Sequence, residues 1–322
     1  MRALRRWVVA MVERVEAVFA GGKASRVHGL VVMRGGEVVL ERYGAGADFR
    51  LGEPLGRITF DRETLHDVRS VSKSVVALVY GIALSEGLVP EPGAPLVAQF
   101  PEYPDLVADP ARAYITVEHA LTMTLGLDWN EDAPYTGPEN SEVAMELAPD
   151  RHRYVLERPV VEEAGKRRTY CGGATALIGE LITRGTGMPV DAYAAERLFR
   201  PLGITRHQWV KGGDGVVMAA SGLRLRPLDL AAIGRLVLDG GRDLVPAGWI
   251  EEMTRPRVTI EGDFAYGYQW YVTGDRQRLE CIGNGGQRLV VVPGEDLVVA
   301  VTAGDYDTDP AGTTAVLKAV LG

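Results

Sequence analysis

The segment SVSKSVVALVYGIALSE, Ser70–Glu86, decides the reading of this chain. After Lys73 it carries Val75, Val76, Ala77, Leu78, Val79, Ile82, Ala83 and Leu84, apolar around nearly the whole helical circumference. Such a helix belongs at the centre of a core. Gly87 and Pro90 end it. Its start is the motif Ser70-Val71-Ser72-Lys73. Residues i and i+3 share a helix face, so the Ser70 hydroxyl and the Lys73 amine meet one turn apart. At the helix start, free N–H groups and the dipole favour a developing negative charge. A Lys in apolar surroundings is expected to be pushed toward its neutral form, able to take the serine proton. A Ser-rich helix start is more often a simple cap. Here an unpaired Lys on the most buried helix would be costly without a purpose. None of the other Lys (Lys23, Lys166, Lys211 and Lys318) has a Ser three residues before it.

Working outward, MRALRRWVVAMVERVEAVFAGG spaces Trp7, Val8, Met11, Val15 and Val18 as an amphipathic helix. Its apolar stretch is cut by Glu13, Arg14 and Glu16, unlike a secretory signal. His28–Met33 and Val38–Tyr43 flank Gly35-Gly36 and read as a hairpin, followed by an irregular polar stretch to about Asp67. Helices are expected at Val117–Thr124, Ala174–Arg184, Val190–Arg200, Pro227–Asp239, Pro246–Thr254 and Ala311–Leu321. The loop from about Asp128 to Asn140 is too polar for core and is expected to rim a cleft. Phe264–Thr273, Gln277–Ile282, Gln287–Val292 and Leu297–Thr302 read as an antiparallel meander. The class is therefore α+β. The N-terminal hairpin and C-terminal meander are expected to join in one antiparallel sheet under terminal helices, with a mainly helical lobe inserted. We read residues 1–322 as one domain, with an α/β lobe at about 1–68 and 217–322 and a helical lobe at about 69–216.

Composition excludes several classes. The 322 residues are 46% hydrophobic and 24% charged, as in an ordered globular protein. The net charge of −8 disfavours nucleic acid. No run of 18 apolar residues suggests a membrane span. Cys171 and Cys281 are too few for a disulfide framework or a Cys-based zinc site, and His28, His66, His119, His152 and His207 lack ligand spacing. The expectation is a cytoplasmic protein without metal or organic cofactor, acting on a small molecule; the oligomeric state stays open. G-x-S-x-G is absent around all seven Ser, and no P-loop is present.

Two further elements carry chemistry. Tyr170-Cys171-Gly172-Gly173 follows the basic run Lys166–Arg168 and precedes a helix. A Tyr on a Gly-supported turn projects into a cleft, and neighbouring cations that lower its pKa would let it relay protons; a packing role is the plainer alternative. Cys281-Ile282-Gly283-Asn284-Gly285-Gly286-Gln287 lies between two strands. Gly permits close backbone approach there, so an N–H can complete an oxyanion hole with that of Ser70; an ordinary hairpin turn fits equally.

In this order, the three elements resemble the serine β-lactamase and penicillin-binding protein superfamily. The nearest resemblance is to its class C β-lactamase-like branch, with family VIII carboxylesterases and 6-aminohexanoate-dimer hydrolases. It extends over RSVSKSV, HALTMTLGLDWNED, TYCGGATALIGELITRGTGMPVDAYAAERLFRPLGI, SGLRLRPLDLAAIGRLVLDGG, YGYQWY and GNGGQRLVVVPGEDLVVAVTAG. The resemblance implies a two-lobed serine hydrolase. Ser70 would be the acylated nucleophile, Lys73 its proton partner and Tyr170 the residue assisting activation and leaving-group protonation. Gly283 would end the third motif, the Asn284 N–H would be the second oxyanion donor, and Trp129 would lie in a pocket-lining loop. Two departures stand out. Gly172 replaces the Asn of Tyr-x-Asn, and Cys281-Ile282-Gly283 replaces Lys-Thr-Gly or His-x-Gly. The lost basic residue normally meets a substrate carboxylate, which argues against strong β-lactam turnover or D-Ala-D-Ala cleavage. The expected activity is ester hydrolysis through an acyl-enzyme. The alternatives are an amide hydrolase of the 6-aminohexanoate-dimer or D-amino-acid peptide type, a weak β-lactamase, or a non-catalytic binding protein that kept the fold.

Overall fold

The computed structural model describes residues 2–322. Helix α1 (Arg2–Ala20) leads to the hairpin of β1 (Val27–Arg34) and β2 (Glu37–Tyr43), then to β3 (Ala45–Arg50), β4 (Glu53–Thr59), β5 (His66–Asp67) and α2 (Val71–Ser85). The middle holds α3 (Pro104–Val107), α4 (Val117–Leu121), α5 (Ser141–Leu147), α6 (Arg151–Leu156), α7 (Gly172–Thr186) and α8 (Val190–Ala194), which continues as a π turn to Phe199. Next come β6 (Gln208–Trp209), β7 (Leu223–Leu225), α9 (Pro227–Leu238) and α10 (Ala247–Met253). The chain closes with β8 (Val258–Glu261), β9 (Phe264–Tyr266), β10 (Tyr271–Thr273), β11 (Arg278–Gly283), β12 (Gln287–Val292), β13 (Leu297–Ala303) and α11 (Ala311–Leu321).

The main sheet has the order β2-β1-β13-β12-β11-β10-β9-β8, so the hairpin and the meander do join, through β1 against β13. Every residue of β13 is buried, because helices cover both faces. Its side chains alternate accordingly. Leu297, Val299, Val301 and Ala303 enter a cluster with Met11 and Val15 of α1 and Val316 and Val320 of α11. Val298 and Ala300 enter the larger core with α2 and α9. Helix α2 is buried from Val71 to Ala83. A Cβ at Gly81 would collide with the Trp249 ring, whose indole donates to the Ala77 carbonyl at 2.9 Å. This is the close approach that Gly permits in an otherwise ordinary helix.

Three expectations are corrected. The stretch before Asp67 contains the hairpin β3–β4, whose mostly exposed strands lack the apolar alternation that would reveal them. Phe264–Thr273 is not one strand, because β9 and β10 pair across a turn at Gly267–Trp270. There Gln269 has φ +59° and is buried. Its amide donates to the Ala120 and Leu121 carbonyls, its side-chain oxygen accepts from Thr175 at 2.8 Å, and its carbonyl accepts from Ser74 at 2.6 Å. One polar residue thus ties α2, α4 and α7 together, and no hydrophobic pattern announces it. Third, β8 adds a strand that the meander reading did not contain.

None of the five His is exposed. His66 Nδ1 donates to the Asp67 carbonyl at 2.8 Å, so its Nε2 accepts from His28 Nδ1 at 2.9 Å. Burial lowers His28 to about 3, with His66 and Arg57 in the same direction and Asp48 opposing. Burial also lowers His66 to about 4, with Arg224 and Arg69 adding to it and the Asp67 carbonyl opposing. Both folded values lie below the unfolded reference of about 6.5. The folded state therefore binds fewer protons, and this stability is present above pH 6.5 and erodes as pH falls toward 4. Thermal denaturation between pH 7 and 4 is expected to show a falling Tm, with a shallower decline in His66→Gln. Equal slopes would show that the pair does not drive the decline.

Candidate active site

Ser70 stands at the N-cap of α2, after Arg69 at φ +50°. Its N–H has no hydrogen-bond partner among the described residues. Lys73 Nζ donates to Ser70 Oγ at 3.1 Å and to the Ala220 carbonyl at 2.9 Å, and lies 3.8 Å from Glu142 Oε2. Lys73 is only 1% exposed. The Tyr170 ring centroid is 5.0 Å from Lys73 Nζ. The three residues of the first two motifs thus converge, although a hundred residues separate Tyr170 from Ser70.

The electrostatics correct the sequence reading. Burial does work to lower Lys73, but Glu142 and Glu131 outweigh it and the net shift is upward. The amine is held as an ammonium. Tyr170 is raised well above its ordinary value, chiefly by burial, then by Tyr271 and Glu131. The expected lowering by cations does not occur. Lys166 and Arg167 point outward to Glu163 and Glu162, and Arg168 alone lies by the ring at 5.3 Å. Tyr170 is therefore a neutral phenol, suited to donate a proton and not to accept one at rest.

The third motif closes the site from the sheet. A Cβ at Gly283, the last residue of β11, would collide with the Val68 carbonyl, so only Gly lets the strand end approach the chain two residues before Ser70. The Asn284 side chain is committed to Asp307, donating to Oδ1 at 2.6 Å and accepting from its N–H at 2.9 Å. Cys281 is fully buried beside Ser74, and Cys171 accepts from the Ala174 N–H as the cap of α7. Burial raises both thiols, so both pack as neutral groups. Among the described residues no three His, Cys, Asp or Glu converge as a metal site.

The loop after Asp128 is not merely a rim. Asn140 is fully buried, Glu142 is 5% exposed, and Glu131 is half-buried. Trp129 donates its indole N–H to Glu131 Oε1 at 2.6 Å, which also accepts from the Gly172 N–H. The Tyr135 hydroxyl donates to Glu131 Oε2 at 3.0 Å, and Ser221 donates to Glu142 Oε1 at 2.9 Å. Trp129 is 7% exposed, and its indole holds the Glu131 carboxyl in place. Glu131 and Glu142 were not found from sequence. The only signal was the acidity of the loop, which read as solvent-facing.

With this geometry in view, comparison with known proteins is direct. Residues 12–321 match the Beta-lactamase family, and the chain belongs to it. Among curated relatives, it is 27% identical over 306 residues to 6-aminohexanoate-dimer hydrolase of Paenarthrobacter ureafaciens, covering 87% of this chain and 73% of that protein. It is 26% identical over 206 residues to Esterase EstB of Burkholderia gladioli, covering 61% of this chain and 50% of that protein. Among solved structures, EstCE1, a hydrolase with promiscuous acyltransferase activity, superposes with a TM-score of 0.80 at 17% identity, covering 98% of this chain and 99% of that one. The octameric penicillin-binding protein homologue from Pyrococcus abyssi gives 0.71 at 19% identity, over 97% and 76%. These two establish the shared β-lactamase-like fold.

The Gly172 position yields a test of the packing. A Cβ there would stand 2.6 Å from Glu142 Oε2 and 3.1 Å from Glu131 Oε1. Gly172→Ala is expected to destabilise by about 1–3 kcal/mol in urea denaturation, as overpacking does. An unchanged midpoint would mean that the two carboxyls do not fill this space.

Proposed function

We propose that this member of the family is an ester hydrolase that works through an acyl-enzyme on Ser70. The observation that carries the reading is the 3.1 Å contact between Lys73 Nζ and Ser70 Oγ at the start of a buried helix, with the Tyr170 ring 5.0 Å from the same amine. Ser70 attacks the carbonyl carbon. Lys73, once its ammonium has given up a proton, takes that of the serine, and Tyr170, a neutral phenol, protonates the leaving group and is reprotonated by Lys73. The free Ser70 N–H and the N–H of Asn284, at the strand end that Gly283 brings close, receive the oxyanion. Water then releases the acid.

An amide hydrolase is the second reading. It is favoured by the relative that matches the larger share of this chain, whose name is 6-aminohexanoate-dimer hydrolase. Matched ester and amide substrates separate the two. Turnover of β-lactams is expected to be weak, because Cys281 stands where a basic residue would meet the substrate carboxylate. The proposal includes treating residues 1–322 as one catalytic domain and placing it in the cytoplasm. Among the described residues no helix is long and apolar enough to cross a membrane.

The purified protein is expected to hydrolyse short-acyl p-nitrophenyl esters, and Ser70→Ala to lower kcat by on the order of 10³-fold or more. A fluorophosphonate probe is expected to label the wild type only. Equal rates in the two proteins would reject Ser70 as nucleophile. A folded wild type that neither labels nor turns over would favour a binding protein.

A further inference from the structure

Arg168 is a cation beside Tyr170 that the proposed reaction does not use. Its guanidinium carbon lies 4.3 Å from the ring centroid of Tyr266, 5.2 Å from that of Tyr271 and 5.3 Å from that of Tyr170. Its Nη2 donates to the Tyr271 hydroxyl at 3.0 Å. Its Nε is out of solvent without a hydrogen-bond partner among the described residues, and Nη1 has none there either. No Asp or Glu among the described residues pairs with it. Its neighbours Lys166 and Arg167 hold Glu163 and Glu162, and Glu280, opposite Tyr271 across the β10–β11 pair, is taken by Arg278 at 2.6 Å. The carboxyls near Ser70 are committed as well, Glu142 to Lys73 and Ser221, and Glu131 to Trp129, Tyr135 and the Gly172 N–H.

Arginines elsewhere in the chain are treated differently. Arg151 holds Glu146 and Asp214, Arg224 holds Asp48 and Asp67, and Arg257 holds Glu118 and Glu252. A guanidinium drawn out of water without a carboxylate is costly. Aromatic faces offset part of that cost but leave its in-plane N–H donors unmet.

We propose that Arg168, together with the Tyr271 hydroxyl, binds a carboxylate on the leaving group of the substrate, so that the site selects esters or amides whose leaving alcohol or amine is itself an acid. The inference rests on the serine hydrolase reading and names the substrate class of that site.

The position of Arg168 sets which part of the substrate it meets. The Tyr170 ring lies 5.0 Å from Lys73 Nζ and 5.3 Å from the Arg168 guanidinium, so one aromatic ring separates the reacting centre from this cation. Tyr170 protonates the leaving group in the proposed reaction, so a group departing past its phenol passes toward Arg168. The planar fork of a guanidinium matches a carboxylate. One guanidinium also balances one charge, which suits a carboxylate better than a phosphate dianion. The Tyr271 oxygen accepts from Arg168, so its own proton is free to donate to the same anion.

The frame around this pair is fixed. The Thr169 N–H donates to the Met123 carbonyl at 2.9 Å and anchors the chain between Arg168 and Tyr170. Tyr271 stacks on Phe264 with centroids 5.2 Å apart and meets Tyr266 edge-on at 4.8 Å. Tyr266 is buried, whereas Arg168, Tyr170 and Tyr271 are half-buried and form the accessible side of the cluster. Arg168 stands on a different element from Cys281, so the expectation of weak β-lactam turnover is unchanged.

The experiment measures kcat/KM of the whole chain on two acetate esters, 4-acetoxybenzoate and neutral 4-acetoxybenzamide, for wild type, Arg168→Gln, Arg168→Lys and Tyr271→Phe. Fluorophosphonate labelling of Ser70 and circular dichroism accompany each. The acyl group is common to both esters, and comparing variants on the same pair cancels the intrinsic difference between the leaving groups. Wild type is expected to favour the carboxylate ester by about 10-fold or more, the worth of a hydrogen-bonded charge pair. Arg168→Gln is expected to lower that ratio by about 10-fold or more, and Arg168→Lys, which keeps the charge without the fork, to restore part of it. An Arg168 that only packs against the rings would lower both rates together and leave the ratio fixed. A wild-type ratio near one overturns the proposal, as does a ratio that Arg168→Gln moves by less than about twofold. If Arg168→Gln does not fold, Tyr271→Phe decides: loss of the hydroxyl is expected to lower the ratio by about threefold or more, and an unmoved ratio overturns the proposal. A wild type that neither labels nor turns over either ester would instead overturn the hydrolase reading, and this inference with it.

Discussion

The ammonium of Lys73 is the constraint around which this site is built. A charge that is 1% exposed must be paired. Here it is met by the Ser70 hydroxyl, the Ala220 carbonyl and the Glu142 carboxylate. Three chain segments far apart in sequence must therefore meet at one point. Each has its own tether: Ser70 is one helical turn away, Ala220 leads into β7, and Glu142 is held by Ser221. The contact is structural and chemical at once, since the group that gathers these segments is also the one that exchanges the proton.

The rest of the fold keeps that point fixed. Helix α2 is buried along most of its length between sheet and helical lobe, so Ser70 cannot drift. Gln269 fastens the β9–β10 turn to α2, α4 and α7, which places the helix carrying Tyr170 at its start in register with the helix carrying Ser70. Gly283 lets β11 end against Val68. Preorganised donors of this kind cost no rearrangement during reaction, which is where such sites gain most of their rate.

What was legible in the sequence follows from how local each signal is. Helix α2 and strand β13 could be read because continuous apolar runs report burial directly, and Gly35-Gly36 marked the first hairpin. Ser70 and Lys73 were legible because i, i+3 spacing is a local fact, whereas at Tyr170 and Gly283 the residues alone fitted a packing role and a hairpin turn as well, and the resemblance chose between them. The polar hairpin β3–β4 and the Gln269 turn were not legible, because their hydrogen bonds leave no hydrophobic period. Glu131 and Glu142 were missed for the same reason. Their meeting with Lys73 bridges more than fifty residues, and an acidic loop ordinarily means solvent. That omission also reversed the expected charge on Lys73, since apolar neighbours alone would have lowered its proton affinity.

The most direct measurement is mass spectrometry of the wild type quenched during turnover of a slow ester, followed by peptide mapping. The account predicts that the acyl group is found on the peptide containing Ser70, on that hydroxyl, in amounts that rise and decay with turnover. Turnover with the acyl group on another residue, or with none captured at any time, would contradict it.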